Sequence, residues 1–413
     1  MYLRHLSLRN FRNYLRLELT LPPGVTVVQG GNAQGKTNLL EAIVFLATSK
    51  SLRAQSDREL IHWLAYEQEP IPFAEVAGEV ETNGHTTHLR LVLTQQSSGG
   101  LHPRFRKVIT INGVRKRVLD LLGILPVVIF MPEDVLLIAG SPSLRRRYLN
   151  MLLCQVDREY CRHLEAYNKV VLRRNAQLRE LQGRSWDENL LAYWDEALIE
   201  HGAYLIHRRQ ALLSRLDQLA REHHTALAPH QGRLRVVYRP SVSPSQKPTV
   251  ETETQRPMPW SQEPVTYTPQ PVWSAETWCQ EFQAALERLR DEELAAGITL
   301  VGPHRDDMMF LLDGRDVRVF GSRGQQRTVA LALKLAEVQV ITETLHSSPI
   351  LLLDDVMSEL DAQRRHRVLD LILQVPQAIL TTTDWSDFTP EFLARAQCLE
   401  VRDGVLTPIS PVS

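Results

Sequence analysis

Eight residues near the start of this 413-residue chain constrain its fold more than any other segment. They read Gly30-Gly31-Asn32-Ala33-Gln34-Gly35-Lys36-Thr37 and lie between a β-type run, 25–28, and a helix-type run, 38–43. The spacing is G-x-x-x-x-G-K-[ST] in a strand, loop, helix setting. Its glycines let backbone N–H groups surround phosphate oxygens, Lys36 reaches the β and γ phosphates, and Thr37 can ligate Mg²⁺. The segment therefore predicts a nucleotide-binding α/β domain.

A β-type run that ends in two carboxylates lies more than 300 residues further along the chain. It reads Ile350-Leu351-Leu352-Leu353-Asp354-Asp355. A buried strand with an acidic end is the form of the Mg²⁺-side strand of phosphate-loop ATPases. Any apolar strand can end in acidic residues at a loop, so this pattern alone does not indicate an ATPase. It indicates one here because the phosphate loop is also present. We predict that Lys36 and Asp354 act at the phosphates and Mg²⁺, and that Asp355 orients the attacking water.

The middle of the chain is helical. Apolar residues recur at helical spacing over residues 142–181 and again over 190–219, with 182–187 as the connecting turn. This periodicity predicts one long helix and an antiparallel partner that together form an arm. The alternative is that both helices lie flat on a globular core.

Two local patterns predict loops and turns. Nine of the 23 prolines lie in residues 229–271, mixed with Ser, Thr and Gln, which favours a flexible insertion at about 229–275. Asn112-Gly113 separates two β-type runs, 108–111 and 114–118, which predicts a hairpin with a type I′ turn.

Two further motifs flank the acidic strand. Ser322-Arg323-Gly324-Gln325 precedes a helix-type run, and Ser358-Glu359-Leu360-Asp361 follows the strand. At a helix N-terminus, Ser322 and Gly324 offer hydroxyl and amide donors to a γ-phosphate. An exposed Gly/Ser turn is the alternative for this motif taken alone. In order with the phosphate loop and the acidic strand, the motifs resemble the ATP-binding-cassette class.

The resemblance narrows to the RecF family of SMC-like ATPases. The blocks that carry it span nearly the full chain: 8–14, 35–43, 130–134, 140–147, 302–307, 321–327 and 353–361. The Pro-rich insertion has no counterpart in that pattern. Within the block 302–307, His304, Asp306 and Asp307 resemble metal ligands, but we interpret them as a structural or nucleotide-adjacent loop.

The resemblance implies an ATP-binding-cassette head, split in sequence by an inserted α-helical antiparallel coiled-coil arm. The N-terminal half of the head is expected at 1–138, the arm domain at 139–296 and the C-terminal half at 297–413. ATP and Mg²⁺ are the expected cofactors. In this class Ser322, Gly324, Gln325 and Asp361 act on ATP across an ATP-closed homodimer.

The resemblance also implies a biological role. RecF-like proteins bind double-stranded DNA and single-strand gap junctions, act with RecR and RecO, help RecA loading and support SOS induction. The resemblance implies a weak, DNA-stimulated ATPase, and two departures from the cassette class predict slow ATP hydrolysis. Asp355 stands where most cassettes have Glu, and Thr381-Thr382-Thr383-Asp384 lacks the usual switch His. No glutamine can be assigned to the Q-loop.

A formal net charge of −1 excludes nucleic-acid binding through a global positive field, so any contacts must come from local patches. Residues 102–117 hold six Lys or Arg and no acid. The candidate DNA-binding residues in this stretch are Arg104, Arg106, Lys107, Arg115, Lys116 and Arg117. A solvated surface is the alternative, because the chain is rich in arginine throughout.

The chain lacks the marks of several other classes. Its longest apolar runs are far shorter than the ~20 residues that cross a bilayer, and its first residues do not form a secretory signal. The four cysteines are scattered, without metal-ligand spacing. We expect a cytoplasmic protein. A transporter-type cassette and an SMC-like structural or nuclease-coupled chromosome ATPase are the rival interpretations.

Overall fold

The computed structural model describes residues 1–54, 56–96, 104–183, 189–242 and 271–409. It contains two compact units. The first unit comprises residues 1–133 and 338–413, and the second comprises residues 134–337. Across the described ranges, no helix is both long enough and apolar enough to cross a membrane.

The secondary structure alternates between strands and helices along much of the chain. The strands are β1 (Tyr2–Phe11), β2 (Tyr14–Thr20), β3 (Gly24–Gln29), β4 (Phe73–Thr82), β5 (His85–Gln96), β6 (Arg104–Ile111), β7 (Val114–Lys116), β8 (Val127–Phe130), β9 (Leu234–Arg239), β10 (Asp307–Leu312), β11 (Arg315–Asp316), β12 (Ile350–Asp354), β13 (Gln377–Thr382), β14 (Ala396–Arg402) and β15 (Val405–Pro408). The α-helices are α1 (Lys36–Thr48), α2 (Ala65–Gln68), α3 (Val118–Leu121), α4 (Val135–Ala139), α5 (Pro142–Val156), α6 (Arg158–Leu181), α7 (Asn189–Leu227), α8 (Ala275–Ala296), α9 (Val317–Phe320), α10 (Arg323–Leu345), α11 (Ala362–Ile372) and α12 (Pro390–Leu393). Short 3₁₀ segments occur at Asp57–Leu60, Pro132–Asp134, Met357–Glu359 and Trp385–Asp387.

The first unit contains two six-stranded sheets. One has the order β15-β14-β3-β13-β12-β8, and all its neighbouring strands are parallel except β14 and β15. The other has the order β2-β1-β4-β5-β6-β7 and is antiparallel. Helix α1 packs against strands of both sheets, which is why it is apolar on nearly every side. The strands expected around the phosphate loop and the acidic run are therefore confirmed.

The β6–β7 hairpin matches its sequence signal. Asn112 has φ 50° and Gly113 has φ 77°. Two consecutive positive φ angles are the requirement of a type I′ turn, and Asn-Gly meets it at low steric cost. The predicted hairpin is confirmed.

The second unit is mainly helical and contains the three-stranded sheet β11-β10-β9. Helices α6 and α7 are antiparallel. Near the start of α6, Asp157 accepts a hydrogen bond from Arg208 at 2.7 Å, and further along Arg174 donates to Asp195 at 2.7 Å. The structure confirms the predicted α/β class with inserted antiparallel helices. Helix α7 also packs against α8 and β9, so it is supported along its length.

The single helix predicted over 142–181 is wrong in one respect. The chain breaks between α5 and α6 at Asp157, which has φ −140° and ψ 103° and caps α6 by accepting a hydrogen bond from Tyr160 N at 3.0 Å. The apolar period continues across this break, so periodicity alone does not reveal it.

Part of the expected flexible insertion is ordered. Residues 234–239, expected to be flexible, form β9 because they pair with β10 in a regular antiparallel register. Residues 243–270 of the proposed insertion lie outside the described residues. Residues 297–337 lie in the second unit, where β10 and β11 pair in the three-stranded sheet.

The block 302–307 has an internal structural role in the second unit. Asp306 is buried and pairs with buried Arg209 at 3.1 Å, and Tyr238 also donates a hydrogen bond to it. His304 Nδ1 lies 2.7 Å from Tyr167 Oη. Burial lowers the pKa of His304 to about 4, so the ring is neutral at physiological pH.

Candidate nucleotide-binding site

Four parallel strands end at one edge of the first unit's parallel sheet. The phosphate loop follows β3, Asp354 ends β12, Thr381 lies near the end of β13, and Pro132–Asp134 follows β8. In open α/β sheets, ligands bind beyond the carboxyl ends of the strands. The sheet order therefore brings segments distant in sequence to one place.

A cavity of 360 Å³ lies at this edge. It is lined by Gly31, Asn32, Ala33, Gly35, Lys36, Thr37, Asn38, Arg53, Pro132, Glu133, Asp354 and Asp355. The structure thus brings together most of the phosphate loop with both predicted carboxylates. Sequence reasoning did not assign four of these residues to the site: Asn38, Arg53, Pro132 and Glu133. Pro132 and Glu133 lie in the block 130–134 that carries the family resemblance, but only the position of β8 beside β12 places them at the cavity. No sequence signal marks Arg53.

Two predicted loop residues do not line the cavity. Gly30 lies against β14, where an added Cβ would approach Val401 Cγ1 to 2.6 Å. Gln34 turns toward the β14–β15 turn, and its Oε1 accepts a hydrogen bond from Asp403 N at 2.6 Å. Both residues shape the loop from behind.

Lys36 is the buried cation of the cavity. Lys36 is only 7% exposed. Its Nζ donates hydrogen bonds to the carbonyl oxygens of Gly30 and Gly31, the latter at 3.1 Å. Burial lowers the pKa of Lys36, while the charges of Asp355 and Asp354 oppose that shift. The ammonium group is therefore held inside the curve of the loop.

A hydroxyl and a carboxylate in the lining of the cavity are hydrogen-bonded to each other. Thr37 Oγ1 donates a hydrogen bond to Asp354 Oδ2 at 2.7 Å, and Thr381 Oγ1 donates to Asp354 Oδ1 at 2.8 Å. The carboxylate is thus held at both oxygens. Hydroxyl and carboxylate oxygens are the hard ligands that Mg²⁺ prefers, so this pair of residues fits that ion.

Asp355 has the chemistry of a water-orienting group. Its backbone is left-handed, with φ 52°, and its N–H donates to Thr381 Oγ1 at 3.1 Å. Its Oδ1 is buried and accepts no hydrogen bond within the described part of the chain. Burial raises the pKa of this carboxyl; Asp354 and Asp387 add to the effect, and Lys36 opposes it. The free oxygen is available to accept a proton from water.

Residues of the β1–β2 turn support the loop from outside the cavity. Asn13 Nδ2 donates to Gln34 O at 3.1 Å, and Asn38 Nδ2 donates to Asn13 Oδ1 at 2.8 Å. Tyr14 Oη donates to Gly35 O at 3.0 Å. Gly35 has φ 116°, and an added Cβ would lie 2.5 Å from Asn13 Nδ2. Only glycine fits this position.

The signature residues lie in the second unit, at the start of α10. Gln325 N donates to Ser322 Oγ at 3.2 Å, and Ser322 N donates to Gln325 Oε1 at 2.9 Å. Ser322 and Gly324 are exposed. In the first unit, Asp361 caps α11 by accepting from Arg364 N at 2.9 Å. None of these four residues lines the 360 Å³ cavity.

The basic hairpin residues separate into two groups. Arg104, Arg106, Arg115, Lys116 and Arg117 are exposed. Lys107 turns inward, where its Nζ donates to Ser49 O at 2.7 Å and lies 4.8 Å from the centroid of the Phe45 ring. Lys107 therefore belongs to the fold rather than to the exposed basic surface.

The parallel sheet, the phosphate loop and the Thr37–Asp354 pair define a phosphate-loop nucleotide-binding unit. Residues 2–390 match the family model of the RecF/RecN/SMC N terminal domain. Within this family the chain belongs to the RecF proteins. It is 39% identical to the DNA replication and repair protein RecF of Herpetosiphon aurantiacus, over 99% of this chain and 100% of that protein. It is 40% identical to RecF of Roseiflexus castenholzii, over 99% of this chain and 100% of that protein.

Solved structures agree with this assignment. The structure of the recombination mediator protein RecF-ATP in the RecFOR pathway matches with a TM-score of 0.83 and 31% sequence identity, over 99% of this chain and 98% of that chain. The corresponding RecF-ATPrS structure matches with a TM-score of 0.82. The predicted RecF resemblance and the predicted fold of a split head with a helical insertion are therefore confirmed.

Proposed function

We propose that this chain binds ATP with Mg²⁺ and uses it to control DNA binding in recombinational repair and replication restart. The observation that carries the proposal is the hydrogen bond between Thr37 and Asp354, which joins the phosphate loop to the acidic strand. The similarity to a RecF structure described as RecF-ATP supports ATP as the nucleotide.

The loop binds the triphosphate through its backbone and Lys36. The N-terminus of α1 points its free N–H groups and its partial positive charge at the phosphates. Lys36 exchanges its bonds to loop carbonyl oxygens for bonds to phosphate oxygens, and Arg53 adds a second cation at the cavity. Thr37 and Asp354 would hold Mg²⁺, which would supply positive charge to the phosphate oxygens.

Asp355 orients the attacking water through its unpaired oxygen. An aspartate has a shorter reach than the glutamate usual in cassettes, and Thr383 and Asp384 offer no imidazole at the switch position. Both features support slow hydrolysis. Acceleration of that hydrolysis by DNA is proposed from family membership. ATP then acts mainly as a switch with a long bound lifetime.

The second half of the ATP site comes from another copy of the chain. Ser322, Gly324, Gln325 and Asp361 lie outside the cavity lining, and the exposed Ser322 and Gly324 leave the signature helix N-terminus open to an anion. Because ATP binds the closed homodimer better than the separate chains, it stabilises that dimer by mass action. Hydrolysis reopens it.

The closed homodimer places the exposed basic hairpin residues of both copies on DNA. Contacts of Arg104, Arg106, Arg115, Lys116 and Arg117 with phosphates are independent of sequence and weaken as salt rises. Double-stranded DNA and single-strand gap junctions are the proposed targets. By family membership, RecO and RecR are the proposed partners, RecA loading and SOS induction the proposed outcome, and the cytoplasm the proposed location.

Sedimentation velocity with and without Mg-ATP tests this function. We expect the wild-type chain to dimerise only with ATP. Lys36→Ala loses nucleotide binding and dimerisation together, whereas Ser322→Arg binds nucleotide as wild type does but stays monomeric. A wild-type chain whose sedimentation does not change with ATP, or a Ser322→Arg variant that loses both properties equally, contradicts the proposal.

A further inference from the structure

A second cavity, of 430 Å³, lies in the second unit beside the signature segment. Gly321 and Gln325 form part of its lining. The rest comes from the β10–β11 hairpin, from α9 and from Gln231, which precedes β9. Apart from Gly321 and Gln325, the residues that line this second cavity have no part in the ATP site described above.

The lining of this cavity offers more hydrogen-bond acceptors than donors. Gln231 Oε1 is buried and has no hydrogen-bond partner within the described ranges. Asp313 uses one oxygen to accept from Arg233 N at 2.8 Å, and Asp316 uses one to accept from Arg318 N at 2.9 Å. The second oxygen of each carboxylate remains available. A buried acceptor without a donor is unfavourable, so the cavity favours a ligand rich in N–H groups.

The charges of the lining residues indicate which sign of charge the ligand carries. Asp313 and Asp316 are both acidic, and Arg315 is the one cationic side chain among the residues that line the cavity. An anionic ligand, including a nucleic-acid backbone, is disfavoured here. Phe320, 45% exposed, supplies an aromatic wall that suits the alkyl stem or the planar guanidinium of a basic side chain.

We propose that this acidic cavity receives a lysine or arginine side chain from a second copy of the chain when ATP closes the dimer. The inference rests on the proposed function. Gly321 and Gln325 belong both to the cavity and to the segment proposed to meet the partner's ATP. The lining of the nucleotide cavity carries Glu133, Asp354 and Asp355 as well as Lys36 and Arg53, and beside it the side chains of Lys50 and Arg53 are exposed. These two exposed cations are opposite in charge to Asp313 and Asp316 of the second cavity.

Photo-crosslinking identifies the occupant directly. Phe320 is replaced by p-benzoylphenylalanine in the full-length chain, which is irradiated with and without Mg-ATPγS. We expect a dimer-sized adduct only with nucleotide, and mass spectrometry should place the crosslink within residues 49–58 of the second copy. The absence of such an adduct from a chain that dimerises, or a crosslink elsewhere in the second copy, overturns the proposal. An adduct formed only with a different protein in a lysate also overturns it.

Two variants test the chemistry of the cavity. Gln231→Leu removes the unpaired acceptor, and Asp316→Asn removes a charge but keeps the oxygen that caps α9. Both should raise the dissociation constant of the ATP-bound dimer at least about tenfold at low salt, without changing nucleotide affinity. Asp291→Asn, at an exposed position on α8, is the matched control and should behave as wild type.

The outcomes separate this inference from the proposed function. If the wild-type chain does not dimerise with ATP, the proposed function fails. If the wild type dimerises and both cavity variants dimerise equally well, only the inference about the acidic cavity fails.

Discussion

At the scale of single residues, the candidate site combines a held carboxylate with a free one. Asp354 has both oxygens bonded to threonine hydroxyls, whereas Asp355 keeps a buried oxygen without a partner. Two adjacent residues of one type thus acquire different chemistry from their surroundings. The sequence identifies both carboxylates, but it does not reveal the bond from Thr381 that separates their roles.

The pKa of Asp355 leads to a prediction about stability. Burial raises this pKa above the ordinary value of 3.8, so the folded state binds the proton more tightly than the unfolded state. The favourable contribution of this group is present at low pH and is lost as pH rises through the folded-state pKa. Asp355→Asn should therefore raise the thermal midpoint at pH 7.5 without nucleotide, and this gain should shrink toward pH 4.

The same variant should slow ATP hydrolysis by about 10²–10⁴-fold, because it removes the proposed water-orienting carboxylate. Its affinity for ATP should be retained. Differential scanning fluorimetry across pH and a phosphate-release assay measure the two effects. A stability gain that increases as pH falls contradicts the assigned sign of the pKa shift.

Gly35 and Gly84 offer a matched comparison of strain and crowding. Both have positive φ, 116° and 79°, but an added Cβ meets Asn13 only at Gly35 and open space at Gly84. Gly84→Ala should cost about 1–2 kcal/mol of unfolding free energy, from backbone strain alone. Gly35→Ala should cost more and also abolish nucleotide binding. Equal losses of stability in urea titrations contradict the role assigned to Asn13.

At the scale of elements, the order of strands in the parallel sheet decides which residues line the nucleotide cavity. The phosphate loop and the acidic strand are predictable because each carries its own local pattern. Pro132 and Glu133 belong to the block 130–134 of the family resemblance, but their place in the cavity is not predictable from it, since they line the cavity because β8 lies beside β12. The break at Asp157 escapes prediction for a related reason: the apolar period of α5 continues into α6.

The β6–β7 hairpin carries basic residues of two kinds: exposed ones such as Arg115 and Lys116, and Lys107, which bonds within the fold. Arg115→Ala with Lys116→Ala should weaken DNA binding to all sequences alike and reduce the salt dependence, by about 1 in log–log slope for each phosphate that the hairpin no longer neutralises. Lys107→Ala should leave that slope unchanged and instead lower stability, because its ammonium group bonds to Ser49 O. Fluorescence anisotropy on duplex and gapped DNA, with and without ATP, measures the slopes. A reduced slope for Lys107→Ala contradicts its assignment to the fold.

At the scale of the whole molecule, the phosphate loop and the signature segment belong to different compact units. Their sequence order identifies the class, and the match over residues 2–390 confirms the family. The pairing of β9 with β10 is not predictable, because it joins two strands that a Pro-rich stretch separates in sequence. An ATP site shared between two copies is the central claim of the proposed function.

Native mass spectrometry on a mixture of two inactive variants tests that claim most directly. Lys36→Ala keeps an intact signature segment, and Ser322→Arg keeps an intact phosphate loop, so a mixed dimer contains one complete site. We predict that neither variant dimerises alone with ATP, whereas the mixture forms a heterodimer that carries one ATP. If the mixture gives no heterodimer, the proposal that each chain supplies half of the site is contradicted. The same holds if Ser322→Arg alone dimerises around ATP as wild type does.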